Sequence, residues 1–175
     1  MQQNDTSSQF GRLFTWIAWL LGLGLLAFVF QDVLDTQNNP NENPQYHLNK
    51  QGLAEVVLQQ NRHGHYVANG KINDQEVTFL LDTGATEVSI PENIASQLNL
   101  PRYDRYQVAT ANGSVTVQQT QIDQLNIGNL FLYNIRANIN PGMRGNEILL
   151  GMSALKKVEF QQTGKQLILR ERHAF

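Results

Sequence analysis

The sequence predicts a mainly β protein, a closed β-barrel with one or two short helices, preceded by one N-terminal transmembrane helix. Residues 13–30 form an apolar run without a charged side chain. From residue 53 onward, short runs of alternating apolar and polar residues are separated by turns rich in Gly and Asn. That pattern is typical of sandwiches and barrels. Helical spacing of apolar residues is limited there to two short stretches.

The N-terminal apolar run predicts a membrane span. Its 18 residues would form a helix of about 27 Å, close to the roughly 30 Å of a bilayer core. Trp16 and Trp19 lie near its start, where indole rings favour the membrane interface. A helix buried in a soluble core is the alternative, but such a helix normally keeps a polar face.

The flanks of this run predict an uncleaved anchor and its orientation. No small-residue cleavage site follows Phe30, so a cleaved signal peptide is not favoured. Arg12 precedes the run, while Asp32 and Asp35 follow it. The positive-inside rule therefore puts residues 1–12 in the cytoplasm and the bulk of the chain outside it.

Two regions are predicted after the anchor at residues 13–30. Residues 31–52 are rich in Asn, Gln and Pro and offer little apolar surface to bury, which predicts a flexible spacer. Residues 53–175 carry the β pattern and predict the folded domain.

Composition excludes several classes of protein. The 175 residues include no Cys and carry a net charge of −2 at pH 7, so no disulfide framework or thiolate chemistry is expected. No basic stripe is present, and a nucleic-acid partner is not expected. His63 and His65 would share one face of a strand, which leaves a metal or pH role open beside a surface one. We expect no metal and no cofactor.

One acidic residue stands at the end of an apolar strand. Residues 75–81 follow a predicted hairpin turn at Asn73-Asp74 and lead directly to Asp82. Burying an unpaired charge is costly, so an acid placed here indicates a defined role. Gly84 allows a sharp turn, and the Thr83 hydroxyl can hold that turn or a neighbouring chain. The stretch predicts a carboxylate facing a cleft; a turn-capping Asp is the structural alternative.

The remaining elements are short. The predicted strands are residues 55–58, 64–72, 88–91, 106–110, 114–117, 121–127, 130–139, 147–151, 158–160 and 166–170, and the predicted helices are residues 91–98 and 152–157. Asn112-Gly113 between alternating strands is the strongest short hairpin signal. This hairpin is either an ordinary surface feature or a flap that closes over a bound chain.

Two motifs together resemble a known family. Leu80-Leu81-Asp82-Thr83-Gly84-Ala85 resembles the active-site loop of the retropepsin-like aspartic proteases, and Ile148-Leu149-Leu150-Gly151 resembles the element that packs beneath that loop in this family. The resemblance covers roughly residues 54–170 and is closest to the single-domain, membrane-anchored bacterial type. It implies a retropepsin-type barrel and the following site residues: catalytic Asp82; loop support from Thr83, Gly84 and Ala85; flap and substrate contacts from Thr110, Ala111, Asn112 and Gly113; and a structural second motif of Leu149, Leu150 and Gly151.

The chemistry of this family requires two carboxylates that share one proton, because two like charges so close together cannot both ionise. Asp74, Asp104 and Asp123 are not followed by Thr-Gly or Ser-Gly. The second carboxylate is therefore expected from another copy of the chain, in a homodimer with Asp82 at the two-fold axis and Thr83 bonded across it.

The resulting hypothesis is a membrane-anchored aspartic endopeptidase that hydrolyses peptide bonds with an Asp-activated water. Its substrate is expected to be a peptide or protein bound as an extended strand. The expected location is the inner (plasma) membrane, crossed once, with the protease domain periplasmic or extracytoplasmic. A non-catalytic peptide- or protein-binding barrel of the cell envelope is the alternative function, and a purely structural envelope protein is a third.

Overall fold

The computed structural model describes residues 6–44, 46–48, 52, 54–110 and 113–172. The chain divides into two compact units, Met1–Gln37 and Asn38–Phe175. The family-like motifs all lie in the second unit.

The first unit is built by α1 (Thr6–Asn38), a helix of 33 residues. Its segment Gly11–Asn38 is long and apolar enough to cross a membrane, and none of its most apolar window is buried. Both a membrane span and a signal sequence satisfy those criteria. The helix continues past the predicted end at residue 30 and ends just before Pro40, because the residue preceding a proline disfavours helical dihedrals.

The second unit contains two sheets and two short helices. Its strands are β1 (Tyr46–Leu48), β2 (Ala54–Gln59), β3 (Val67–Ile72), β4 (Gln75–Leu81), β5 (Val88–Pro91), β6 (Arg105–Thr110), β7 (Gly113–Ile127), β8 (Leu130–Asn140), β9 (Glu147–Leu150), β10 (Val158–Thr163) and β11 (Gln166–Glu171), and its helices are α2 (Glu92–Gln97) and α3 (Met152–Leu155). The four-stranded sheet has the order β1-β2-β11-β10, and the seven-stranded sheet has the order β3-β4-β9-β5-β8-β7-β6. The prediction of a mainly β domain with few helices is confirmed.

The larger sheet turns back on itself, but its closure is incomplete. Strand β3 also pairs with β7, through Lys71↔Asn126 and Ile72↔Leu125. Strands β5 and β9 are joined at Ser89↔Leu149. Because these pairings are short, the sheet curls into a barrel that is less completely closed than the one predicted. Apolar side chains fill its interior, among them the fully buried Phe79.

Strand β7 is one continuous strand where the sequence predicts two. The predicted gap falls on polar residues around Gln118, which pairs with Arg105 on one side and with Ile139 on the other. Thr120 is buried, and its hydroxyl donates to the Pro101 carbonyl at 2.6 Å. Polar residues therefore remain in the strand because neighbouring segments satisfy their hydrogen bonds.

Part of the predicted spacer is attached to the barrel. Asn41 is 4% exposed, and its amide nitrogen donates to the Gln59 carbonyl at 2.9 Å and to the Val67 carbonyl at 2.7 Å. Its side-chain oxygen accepts the Gln59 N–H at 2.7 Å. The predicted flexibility of residues 31–52 thus does not hold at Asn41, because a buried Asn satisfies backbone groups that would otherwise stay unpaired.

Candidate active site

Two parallel strands deliver Asp82 to its position. Strands β4 and β9 pair in parallel, with Leu81 opposite Leu150. The chain enters β4 through a turn at Asn73 and Asp74, which have φ angles of 47° and 66°, as the predicted tight hairpin requires. The Asp82 N–H then donates to the Leu150 carbonyl at 3.2 Å. The carboxylate therefore stands where both strands end.

The loop after β4 curls around this carboxylate. Oδ1 of Asp82 accepts the Gly84 N–H at 2.8 Å, and the Asp82 carbonyl accepts the Ala85 N–H at 3.3 Å. Asp82 is partly buried, whereas Thr83 and Gly84 are exposed. Within the described part of the chain, neither Oδ2 of Asp82 nor the Thr83 hydroxyl has a hydrogen-bond partner. One carboxylate oxygen is thus fixed and the other remains available.

The second motif supports the loop from below. A Cβ at Gly151 would overlap the Glu87 carbonyl oxygen and lie 2.7 Å from the Ala85 carbonyl oxygen, so only glycine fits between these carbonyls. The next two residues bind the same loop: the Met152 N–H donates to Ala85 at 2.8 Å and the Ser153 N–H donates to Thr86 at 3.0 Å. Leu150 and Gly151 accordingly contact the segment that carries Asp82, and Leu149 pairs with Leu80 in β4.

Ser153 extends this support to the neighbouring strands. Its hydroxyl accepts the Val88 N–H at 3.0 Å and donates to the Arg136 carbonyl at 2.7 Å. Strand β5 follows the loop directly and pairs in parallel with β8. Both ends of the Asp82 loop are consequently fixed by hydrogen bonds to the barrel.

The hairpin of β6 and β7 carries the residues predicted for a flap. Thr110 pairs with Gly113, and its hydroxyl donates to the Gly113 carbonyl at 2.7 Å. The φ angle of Gly113 is 113°, which glycine adopts without strain. Ala111 and Asn112 lie outside the described residues. No described hydrogen bond joins Thr110 or Gly113 to the Asp82 loop.

A second point of the hairpin does contact the loop. The Tyr106 hydroxyl donates to Oε2 of Glu87 at 2.6 Å, and Nη2 of Arg136 lies 3.1 Å from Oε1 of Glu87. Burial, together with the hydrogen bond and the negative charge of Glu87, raises the pKa of Tyr106 to about 12. Arg136 and Asn138 lower that pKa by less. The phenol therefore stays protonated, and stays a donor, throughout the neutral and acidic range.

The sequence prediction missed Glu87, Tyr106 and Arg136, because their contacts join three separate elements. One signal was available, since Glu87 is a charged residue placed directly before the buried strand β5. Among the residues that the structure describes, no three His, Asp or Glu side chains lie close enough together to bind a metal ion.

Comparisons with known proteins agree with this geometry. Residues 68–157 match a family described as gag-polyprotein putative aspartyl protease. The fold is similar to the crystal structure of a retropepsin-like aspartic protease from Rickettsia conorii, with a TM-score of 0.58 and 24% identity over 73% of this chain and 94% of that one.

Two curated relatives are also similar to this chain in sequence. An uncharacterized protein encoded in the cobV 5′ region of a Sinorhizobium species is 29% identical over 115 residues, 64% of this chain and 49% of the relative. An uncharacterized protein of Rickettsia prowazekii is 28% identical over 121 residues, 67% of this chain and 51% of the relative. The chain spans about half the length of the curated relatives it matches.

Proposed function

Since the chain belongs to the retropepsin-like aspartic protease family, we propose that it is a membrane-anchored aspartic endopeptidase whose active site is shared by two copies. The observation that carries this proposal is the setting of Asp82. Its backbone and Oδ1 are fixed by Leu150 and Gly84, while Oδ2 has no partner within the described part of the chain. A rigid carboxylate with one free oxygen is what a shared-proton pair requires.

The proposed reaction uses Asp82 from each copy. One carboxylate is ionised and takes a proton from water, while the water oxygen attacks the carbonyl carbon of the substrate. The other carboxylate is protonated and donates its hydrogen bond to the carbonyl oxygen, where negative charge develops. Proton transfer to the amide nitrogen then releases the amine product and restores the shared proton.

Two features support a homodimer. Asp-Thr-Gly occurs once in these 175 residues, and the proposed two-carboxylate site takes its second Asp from another copy. Thr83 is exposed beside Asp82, and its hydroxyl has no partner within the described residues. In the proposed dimer this hydroxyl binds the partner's loop across the two-fold axis.

Helix α1 supports a membrane anchor. Residues 13–30 lie within its apolar segment, and the single basic residue before it, Arg12, favours a cytoplasmic location for residues 1–12 under the positive-inside rule. The protease domain would then lie in the periplasm. Tethering two domains to one membrane raises their effective concentration for dimerisation.

The proposal is tested with the full chain in detergent micelles and a library of extended peptides, from roughly pH 3 to 7. The wild type is compared with Asp82→Asn and with Asp123→Asn, a matched control at an exposed position of β7. We expect the Asp82 variant to lose cleavage at least about 100-fold and the control to keep it. Peptide binding without cleavage in the wild type would instead support the non-catalytic binding module.

A further inference from the structure

Strand β6 has fewer partners in the domain than β7, which also pairs with β3 and β8. Strand β6 is the last strand of the larger sheet, and among the described strands it pairs with β7 alone. Its residues are mostly exposed. An edge strand of this kind depends on side-chain contacts for its position relative to the rest of the domain. The contact between Tyr106 and Glu87 is such a contact, and it reaches the Asp82 loop.

Glu87 presents both of its carboxylate oxygens to partners. Oε2 accepts the Tyr106 hydroxyl at 2.6 Å, a short bond of the charge-assisted type. Oε1 lies 3.1 Å from Nη2 of Arg136. The Glu87 side chain is 17% exposed, whereas that of Arg136 is 74% exposed. Both oxygens of this partly buried carboxylate are thus paired, at a position five residues after Asp82.

The backbone of Glu87 is also held in place. Its carbonyl packs on Gly151, where a Cβ would overlap it. The preceding carbonyl, that of Thr86, accepts the Ser153 N–H at 3.0 Å. The following N–H, that of Val88, donates to the Ser153 hydroxyl at 3.0 Å. Glu87 is therefore a fixed point of the site from which an edge strand can be held.

We infer that Glu87 is a positioning residue that holds the hairpin over Asp82 through the hydroxyl of Tyr106. This inference rests on the proposed function, since it gives the hairpin the role of a flap. Tyr106 pairs with Val117, so the bond fixes the described strands of the hairpin at this level, beside the loop that carries Asp82.

The test removes the Tyr106 hydroxyl and measures amide hydrogen exchange in the hairpin together with peptide cleavage. Tyr106→Phe keeps the ring and loses the bond, and Tyr103→Phe is the matched control, because Tyr103 is exposed and forms its described bonds through backbone groups. We expect amide hydrogen exchange in β6 and the facing half of β7 to rise about five- to tenfold in Tyr106→Phe. We expect KM to rise by a similar factor, with kcat within about twofold.

Glu87→Gln serves as the conservative variant, because its amide oxygen can still accept the Tyr106 hydroxyl. Amide hydrogen exchange in the hairpin should stay slower in Glu87→Gln than in Glu87→Ala. Unchanged exchange and unchanged KM in Tyr106→Phe would overturn the inference. A loss of kcat without faster exchange would also overturn it, since Tyr106 would then act on the substrate directly. Exchange is measured without substrate, so an inactive wild type would defeat the proposed function and leave this test intact.

Discussion

Gly151 is the residue on which the geometry of the candidate site most depends. It lies between the carbonyls of Ala85 and Glu87, which leave no room for a Cβ. Because these carbonyls belong to the loop that carries Asp82, a larger residue must displace either the loop or β9. The residue thus links the packing of the barrel to the position of the carboxylate.

We therefore predict that Gly151→Ala lowers the free energy of unfolding by about 3 kcal/mol, the upper part of the range for overpacked sites, and lowers peptidase activity with it. Urea denaturation followed by circular dichroism measures the first effect. Gly142→Ala is the control, since its Cβ would meet only side-chain atoms, of Asn140 at 3.2 Å and of Val115 at 3.3 Å. Equal stability losses in the two variants would contradict the packing argument.

At the scale of an element, Asn41 attaches residues 39–44 to β2 and β3. Its backbone joins the attachment, since the Asn69 N–H donates to the Asn41 carbonyl at 3.0 Å. The side chain meanwhile satisfies three backbone groups, on Gln59 and Val67. A segment with almost no apolar side chains is thus attached to the domain by hydrogen bonds.

Removal of this side chain should leave buried backbone groups unpaired, so Asn41→Ala is predicted to cost about 2–3 kcal/mol. The same variant should open residues 39–44 to limited proteolysis. Thermal unfolding and the mass of the first proteolytic fragment measure the two effects. Asn129→Ala, in an exposed turn, provides the matched control. A stable, protease-resistant Asn41→Ala would show that the segment is held by something else.

The elements near Asp82 could be predicted because their signals are local. Strand β4 has the predicted bounds, Gln75–Leu81, since an alternating run, a turn pair and an Asp-Thr-Gly stretch follow one another directly. The attachment of Asn41 and the bond between Glu87 and Tyr106 could not be predicted, because each joins residues far apart in the chain through one side chain. The composition of residues 31–52 predicted uniform flexibility, because composition does not identify which Asn side chain is buried.

At the scale of the whole molecule, the proposed dimer makes the second unit one half of a two-carboxylate site. Each copy supplies one rigid loop with Asp82, one exposed Thr83 and one hairpin, and the proposed dimer combines two of each. The helix of the first unit supplies the membrane attachment in this account. Activity should consequently depend on how many intact copies each dimer contains.

The most direct measurement of this claim mixes wild-type chain with Asp82→Asn chain at fixed total concentration, after exchange of subunits in detergent, and follows peptide cleavage against the wild-type fraction. A shared site predicts that activity falls with the square of that fraction, to about one quarter in an equal mixture. Mixtures with Asp123→Asn should keep full activity. A linear decline, to about one half in the equal mixture, would mean that each chain has a complete site of its own and would contradict the account.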